Sequence, residues 1–220
     1  MSEITSEYFN TGNRKLQDEF GTRPMADRLQ GGIIAPLLSA SDRAFIEARN
    51  MFFLATVDDK GRANCSYKGG NVGLVKAIDE TTLAFPILDG NGMFMSAGNV
   101  LVNGEVGLLF VDFDRQARIR VNGTASIDLK DSLLSHWEGA ALIVRVKVRE
   151  TFPNCPRYIH KMTLHEESKF VPQKGCKTPD APWKKLGFVA DVLPEIDAHL
   201  AGDSEDLLEA INRDINESMA

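Results

Sequence analysis

Ala117-Arg118-Ile119-Arg120-Val121-Asn122-Gly123-Thr124-Ala125-Ser126-Ile127 is the stretch on which the fold turns. Ala117, Ile119, Val121, Ala125 and Ile127 alternate with Arg118, Arg120, Asn122, Thr124 and Ser126. A period of two sends one set into a core and the other to a polar face, which predicts a half-buried strand. Upstream, Val106 to Phe113 (VGLLFVDF) is a nearly continuous apolar run, expected of a strand buried on both sides. Downstream, Asp128 with Asp131 predicts the cap of a short helix through Trp137. Ala141 to Arg149 reads as a last strand with Val144, Val146 and Val148 on one side.

Working outward, Met51 to Val57 (MFFLATV) is rich in β-formers, and Asp58-Asp59-Lys60-Gly61 predicts a hairpin loop with Gly61 in the left-handed position. Ala63 to Gly69 returns as its second strand. Val72 to Ile78 and Thr82 to Ile87 read as two more, joined at Asp79-Glu80. Gly90 to Asn103 breaks the pattern as a Gly/Asn loop followed by a helix. About seven strands at short spacing, with helices as decoration, predict a mainly β, antiparallel barrel or sandwich rather than βαβ units. Closing into a small barrel removes the exposed edges.

The flanks differ. Thr5 to Phe20 reads as a surface helix. Ser39 with Asp42 forms a capping-box variant that opens a short helix, Asp42 to Asn50. After residue 150, Pro153, Pro156, Pro172, Pro179 and Pro182 make Thr151 to Trp183 loop-rich, with a short helix expected over Pro156 to Thr163. Ser204 to Met219 reads as an acidic amphipathic helix with Leu207, Leu208, Ile211 and Ile215 near one face.

With 43% hydrophobic and 25% charged residues, the chain is globular rather than disordered. A net charge of −6 argues against nucleic-acid and anionic-membrane partners, which need a basic surface. The polar, acidic start MSEITSEYFN is not a signal peptide, and no apolar run is long enough for a membrane span, so the expected location is the cytoplasm. The three cysteines, Cys65, Cys155 and Cys176, are widely spaced and predict neither a disulfide framework nor a metal site.

Several residues carry possible chemistry, each with a plainer reading beside it. Ala63-Asn64-Cys65-Ser66-Tyr67-Lys68-Gly69-Gly70 ends a strand with hydroxyls and an ammonium that suit an anion; otherwise Lys68 is an exposed lysine before a turn. Asp89-Gly90-Asn91-Gly92-Met93 leads into a helix whose free N–H groups suit a phosphate; otherwise it is a flexible loop. Arg118 and Arg120 share a strand's polar face, facing a ligand or solvent. Asn154-Cys155-Pro156-Arg157-Tyr158-Ile159-His160-Lys161 is an Asn-capped turn presenting Arg157 and Tyr158 to something anionic and flat, with no base to activate Cys155. No P-loop, Rossmann fingerprint, zincin or serine-hydrolase motif occurs.

The order of these pieces resembles the pyridoxamine 5′-phosphate oxidase-like family, the FMN-binding split barrels, over roughly residues 45–165. It is carried by the Asp-Asp-Lys-Gly hairpin before the Lys68 strand, Leu83-Ala84-Phe85-Pro86, and the Gly-Asn-Gly loop with its helix to Asn103. Val106-Gly107-Leu108-Leu109-Phe110 and Arg118-Ile119-Arg120-Val121-Asn122-Gly123 complete it. Phe152 to Ile159 looks like a branch distinct from the pyridoxamine phosphate oxidases themselves.

The resemblance implies a six-stranded split barrel and a homodimer with FMN at the subunit interface, acting as an oxidoreductase on a small molecule. A flavin- or haem-type binding protein without turnover is the alternative; a deazaflavin or pyridoxal phosphate binder is a weaker third. By matching position, Asn64, Cys65, Ser66, Tyr67 and Lys68 run along the cofactor, and Phe85 and Pro86 meet it on the next strand. Arg118 falls where the oxidases carry a flavin-contacting glutamine. The oxidases' Arg-Lys pair after the phosphate loop has no counterpart in Asn91-Gly92-Met93-Phe94-Met95-Ser96. Phosphate binding then leans on backbone N–H groups there, Ser96, Lys68 and an arginine such as Arg118 or Arg157. The oxidases' C-terminal substrate signature is also missing, so vitamin B6 oxidation is not expected, and no catalytic residue is assigned. The resulting organisation is a helical extension over 1–50, the FMN-binding barrel over 51–165, and a loop and helix over 166–220 expected to pack on the same domain.

Overall fold

Seven strands pair into one antiparallel sheet in a computed structural model that describes residues 8–201. They are β1 (Met51–Val57), β2 (Ala63–Gly69), β3 (Lys76–Ala77), β4 (Thr82–Leu88), β5 (Glu105–Asp112), β6 (Ala117–Asp128) and β7 (Ala140–Pro153). Their order is β2-β1-β5-β6-β7-β4-β3. Three strands separate β1 from β4 in that order, yet the Phe52 and Phe85 rings meet edge to face at 5.0 Å. The sheet has therefore curled on itself, and Phe52 also stacks on Phe110 at 5.3 Å inside the curl.

The alternation in β6 holds. Ile119, Val121 and Ala125 are buried, with Arg118, Arg120 and Asn122 on the other face. One irregularity interrupts it, a register shift between Asn122 and Gly123. A Cβ at Gly123 would lie 2.2 Å from the Lys147 carbonyl oxygen, so only glycine lets β7 approach there. The β1–β2 hairpin also forms as expected: Gly61 has φ of 75° and the Asp58 carboxylate accepts from the N–H groups of Lys60 and Arg62.

Four helices flank the sheet: α1 (Thr11–Glu19), α2 (Arg23–Ile33), α3 (Ala40–Glu47) and α4 (Met95–Val102). The capping box before α3 is complete, with Ser39 accepting from the Asp42 N–H and Asp42 accepting from the Ser39 N–H. Ile46 of α3 and Val100 of α4 enter the core.

Several expectations need correction. Val72 to Ile78 pairs only at Lys76–Ala77, because Leu74 and Val75 turn into the core and the Trp137 indole N–H holds the Gly73 carbonyl at 3.1 Å. The helix after Asp128 is a single 3-10 turn, Leu134–His136; Asp131 accepts from the Leu133 N–H and takes a two-pronged contact from Arg145. The apolar run of β5 alternates until Phe110, and only Phe110 to Asp112 is buried continuously. β7 runs to Pro153, and the residues after it form one turn, with the Ile159 N–H bonded to the Pro156 carbonyl, rather than a helix. Within the helical extension expected over 1–50, α2 is a second helix beside the one expected before Phe20.

The chain divides into two units, Met1–His165 and Glu166–Ala220. The described part of the second is loop with 3-10 turns. Leu186 and Leu200 are buried there, and Lys184 pairs with Asp197 at 2.9 Å. The helix expected over Ser204 to Met219 lies outside the described residues. No helix among the described residues is long and apolar enough to cross a membrane.

Candidate functional site

Among the described residues β2 pairs only with β1, so one of its edges has no strand partner there. The register sets its faces. Lys68 sits opposite Phe52 and Ser66 opposite Leu54, both core residues, so Asn64, Ser66 and Lys68 line the inner face. All three are half-buried, whereas Cys65 and Tyr67 are exposed on the outer face, where Tyr67 meets Phe53.

α4 reaches this inner face from above. Asn99 donates to the Thr56 hydroxyl at 3.0 Å, anchoring the helix to β1, and Thr56 is fully buried. The anchor brings buried Ser96, in the first turn of α4, to 3.1 Å from Ser66, hydroxyl to hydroxyl. Phe94, the residue before the helix, is left-handed (φ 48°), and no side chain caps the helix start. Burial without an opposing carboxylate pulls the Lys68 ammonium below the ordinary lysine range. Lys68 makes no ion pair among the described residues.

Asn91, Gly92 and Met93 form the exposed loop before α4. The Asn91 side chain accepts from the Met93 N–H at 3.1 Å and so closes its own turn. Phe85 and Pro86 are buried. The Phe85 ring belongs to the core, leaving backbone as what β4 offers a ligand at that point.

Arg118 and Arg157 gather elsewhere. Arg118 alternates with inward Ile119, so it lies on the sheet face opposite Lys68. Its guanidinium donates to the Cys155 carbonyl at 2.8 Å, while its Nε is buried without a partner, as is Asn154 Oδ1. Arg157 Nε donates to Cys155 Sγ at 3.1 Å. The Arg157 backbone and side-chain N–H groups hold that exposed thiol below its ordinary range. Gln116 pins the same loop by donating to the Ile159 carbonyl at 2.7 Å.

The predicted residues thus form two groups. Ser66, Lys68 and Ser96 lie on the inner face with the Asn91–Met93 loop leading into α4; Arg118, Arg157 and Cys155 lie on the outer face. Sequence reading missed the Thr56–Asn99 anchor and the Gln116 pin. A lone hydroxyl in an apolar strand, Thr56 in MFFLATV, was the available signal for the first. Among the described residues no group of three His, Cys, Asp or Glu side chains is placed to hold a metal ion.

Residues 38–152 match the family model described as pyridoxamine 5′-phosphate oxidase. That is more than half of the chain, and the chain belongs to this family of split barrels. No curated protein matches it. HupZ from Group A Streptococcus is similar in structure, with 21% identity over 52% of this chain and 92% of its own, and a TM-score of 0.43. HutZ, described as the haem storage protein from Vibrio cholerae, shows 20% identity over 52% and 93%, with a TM-score of 0.39. An FMN-binding protein from Syntrophomonas wolfei shows 15% identity over 64% and 96%, with a TM-score of 0.40.

Proposed function

We propose that the chain is an FMN-dependent oxidoreductase acting on a small molecule, with the cofactor held between two copies of the chain. The observation that carries this reading is the inner-face cluster, where a half-buried, unpaired Lys68 ammonium flanks the Ser66–Ser96 hydroxyl pair at an uncapped helix start. An ammonium, two hydroxyls and free N–H groups are the donor set a phosphate monoester takes. Those residues fit the phosphate end of FMN.

Arg118 supports the two-copy arrangement. It lies on the face opposite Lys68, so one copy cannot apply both to one planar ligand. Among the described residues only one of its guanidinium nitrogens is engaged, by the Cys155 carbonyl, so the fork keeps further N–H donors for a ligand. In this reading Lys68, Ser66 and Ser96 of one copy hold the phosphate, and Arg118 of the other approaches the ring system, with Arg157 nearby. Bound flavin supplies hydride or electron chemistry. Arg118 orients a fixed fork of donors toward the edge where negative charge develops on reduction, favouring the reduced state. Lys68 neutralises the phosphate and regains its own proton affinity. No side chain is assigned as a nucleophile or proton donor.

The test is an absorption spectrum of the purified protein before and after denaturation, with identification of the released molecule. Flavin bands near roughly 370 and 450 nm and released FMN are the expected result. A haem band would move the reading to the binding-protein alternative. A colourless protein that takes up no added FMN would end the oxidoreductase reading.

A further inference from the structure

The helical arm that precedes the family domain is built inside out. α1 and α2 are antiparallel, since Arg14 pairs with Asp27 at 2.6 Å and the Arg23 guanidinium with Asp18. The seam between them is mostly polar: Arg14 and Gln17 of α1, and Arg23, Ala26 and Gln30 of α2, are half-buried. Neither helix buries any residue fully. The apolar side chains are turned outward, with Leu16 60% exposed, Phe20 75%, Met25 60%, Leu29 46% and Ile33 40%.

Their spacing makes one surface of them. Met25, Leu29 and Ile33 repeat every four residues, as do Leu16 and Phe20, so each set forms a stripe along its helix. At about 100° per residue, both stripes fall to the same side of the seam, and in an antiparallel pair that is one continuous face. Burying apolar surface drives helix packing, so a hairpin with this pattern is stable only when something covers that face. The family match begins at residue 38, which leaves the arm outside the shared domain.

We propose that the arm's apolar face docks on the same face of a second copy of the chain, arm against arm. Two observations favour a second copy. The five side chains present on the order of 500 Å², so two arms together bury up to about 1,000 Å², the lower threshold of a specific interface. A patch of that size is at the upper end of what a monomer exposes, and the largest such patch on a chain is often functional. The arm's charge is also nearly balanced, with four basic and three acidic residues between Thr11 and Ile33. Two of the basic residues, Arg14 and Arg23, are already paired within the arm. Facing its own copy therefore meets little like-charge repulsion, while such a face has no charge with which to select an anionic membrane or nucleic acid. An identical patch on each copy, with a four-residue repeat that interleaves ridges and grooves, suits a two-fold axis.

The inference does not rest on bound flavin. The test replaces Leu29 with the photo-crosslinking residue benzoylphenylalanine in the full-length chain, mixing isotopically light and heavy copies at low-micromolar concentration. Irradiation is expected to give a covalent dimer of mixed isotope whose cross-links fall within residues 11–37 of the other copy. Cross-links confined to one chain, cross-links to another region of the second copy, or no cross-linked dimer would each overturn the proposal. Leu29→Glu, with its far-ultraviolet circular dichroism checked against the parent, is expected to weaken the arm-dependent association by about tenfold or more. An unchanged association constant in that folded variant would also overturn it. A colourless protein that still gives the cross-link would separate failure of the flavin reading from failure of this one.

Discussion

Lys68 is held half-buried with no carboxylate opposite it among the described residues, and that burial disfavours its charged form in the folded state. Because its folded proton affinity is below the unfolded value, the unfolded chain binds the extra proton over that interval. Stability of the cofactor-free protein then rises as pH climbs through the folded pKa toward the ordinary lysine range. Lys68→Met is expected to raise the thermal midpoint of the cofactor-free protein at neutral pH and to flatten that alkaline rise. The same change is expected to weaken FMN retention, since the phosphate loses its nearest cation. Differential scanning fluorimetry across pH, with and without FMN, reads both signs. A variant less stable without cofactor would show that the ammonium is satisfied in the folded chain. That Lys68 ends a strand was legible in the sequence, but the contact of Ser66, on the same face, with Ser96 was not. That contact spans thirty residues and depends on the Thr56–Asn99 anchor, which no local pattern encodes.

At the scale of elements, strands with strict alternation read correctly from the sequence, and failures fell where a side chain's partner lies far away. β6 announced itself through its own period, and α3 through a capping box of two neighbours. Val72 to Val75 looked like strand because of its valines, yet the segment bends, leaving Val72 exposed and turning Leu74 and Val75 into the core. Asp131 looked like a helix cap for the same reason, since its chief partner is Arg145, fourteen residues on in β7. The hydrogen bonds from Arg145 hold the Asp131 carboxyl below the usual carboxylate range. That folded pKa is depressed, so its stabilisation is present above the unfolded value of about 4 and is lost as pH falls through the folded pKa. The Asp131 side chain is only 3% exposed but Arg145 is 34% exposed, which moderates the cost of breaking the pair. Asp131→Asn is expected to destabilise the protein by about 2 kcal/mol at pH 7. Urea midpoints of parent and variant should draw together as pH falls through the folded pKa of Asp131. A difference that persists unchanged into acid would mean that packing, not charge, carries the effect.

At the scale of the whole molecule, a cofactor shared between two copies, as proposed, carries a thermal consequence. A ligand bound only by the folded state stabilises it by about 2.7 kcal/mol at a hundredfold excess over its dissociation constant. For a chain of this size that corresponds to a rise of about 5–10 °C in the thermal midpoint. If Lys68 of one copy and Arg118 of another share the same FMN, the site exists only in the assembled protein. The stabilisation then depends on protein concentration as well as FMN concentration. Scans at fixed free FMN over a hundredfold range of protein are therefore expected to show the midpoint increment growing with protein, and growing less in Arg118→Ala, whose contribution comes from the opposite copy. The barrel was legible from the alternation of its strands, and the resemblance implied FMN between two copies; that Lys68 and Arg118 lie on opposite faces of the sheet was not legible, because it follows from the register of β2 and β6 against their neighbours. An increment that depends on FMN alone would put the whole site within one copy, leaving Arg118 to its contact with the Cys155 carbonyl and the arm as the place where two copies meet.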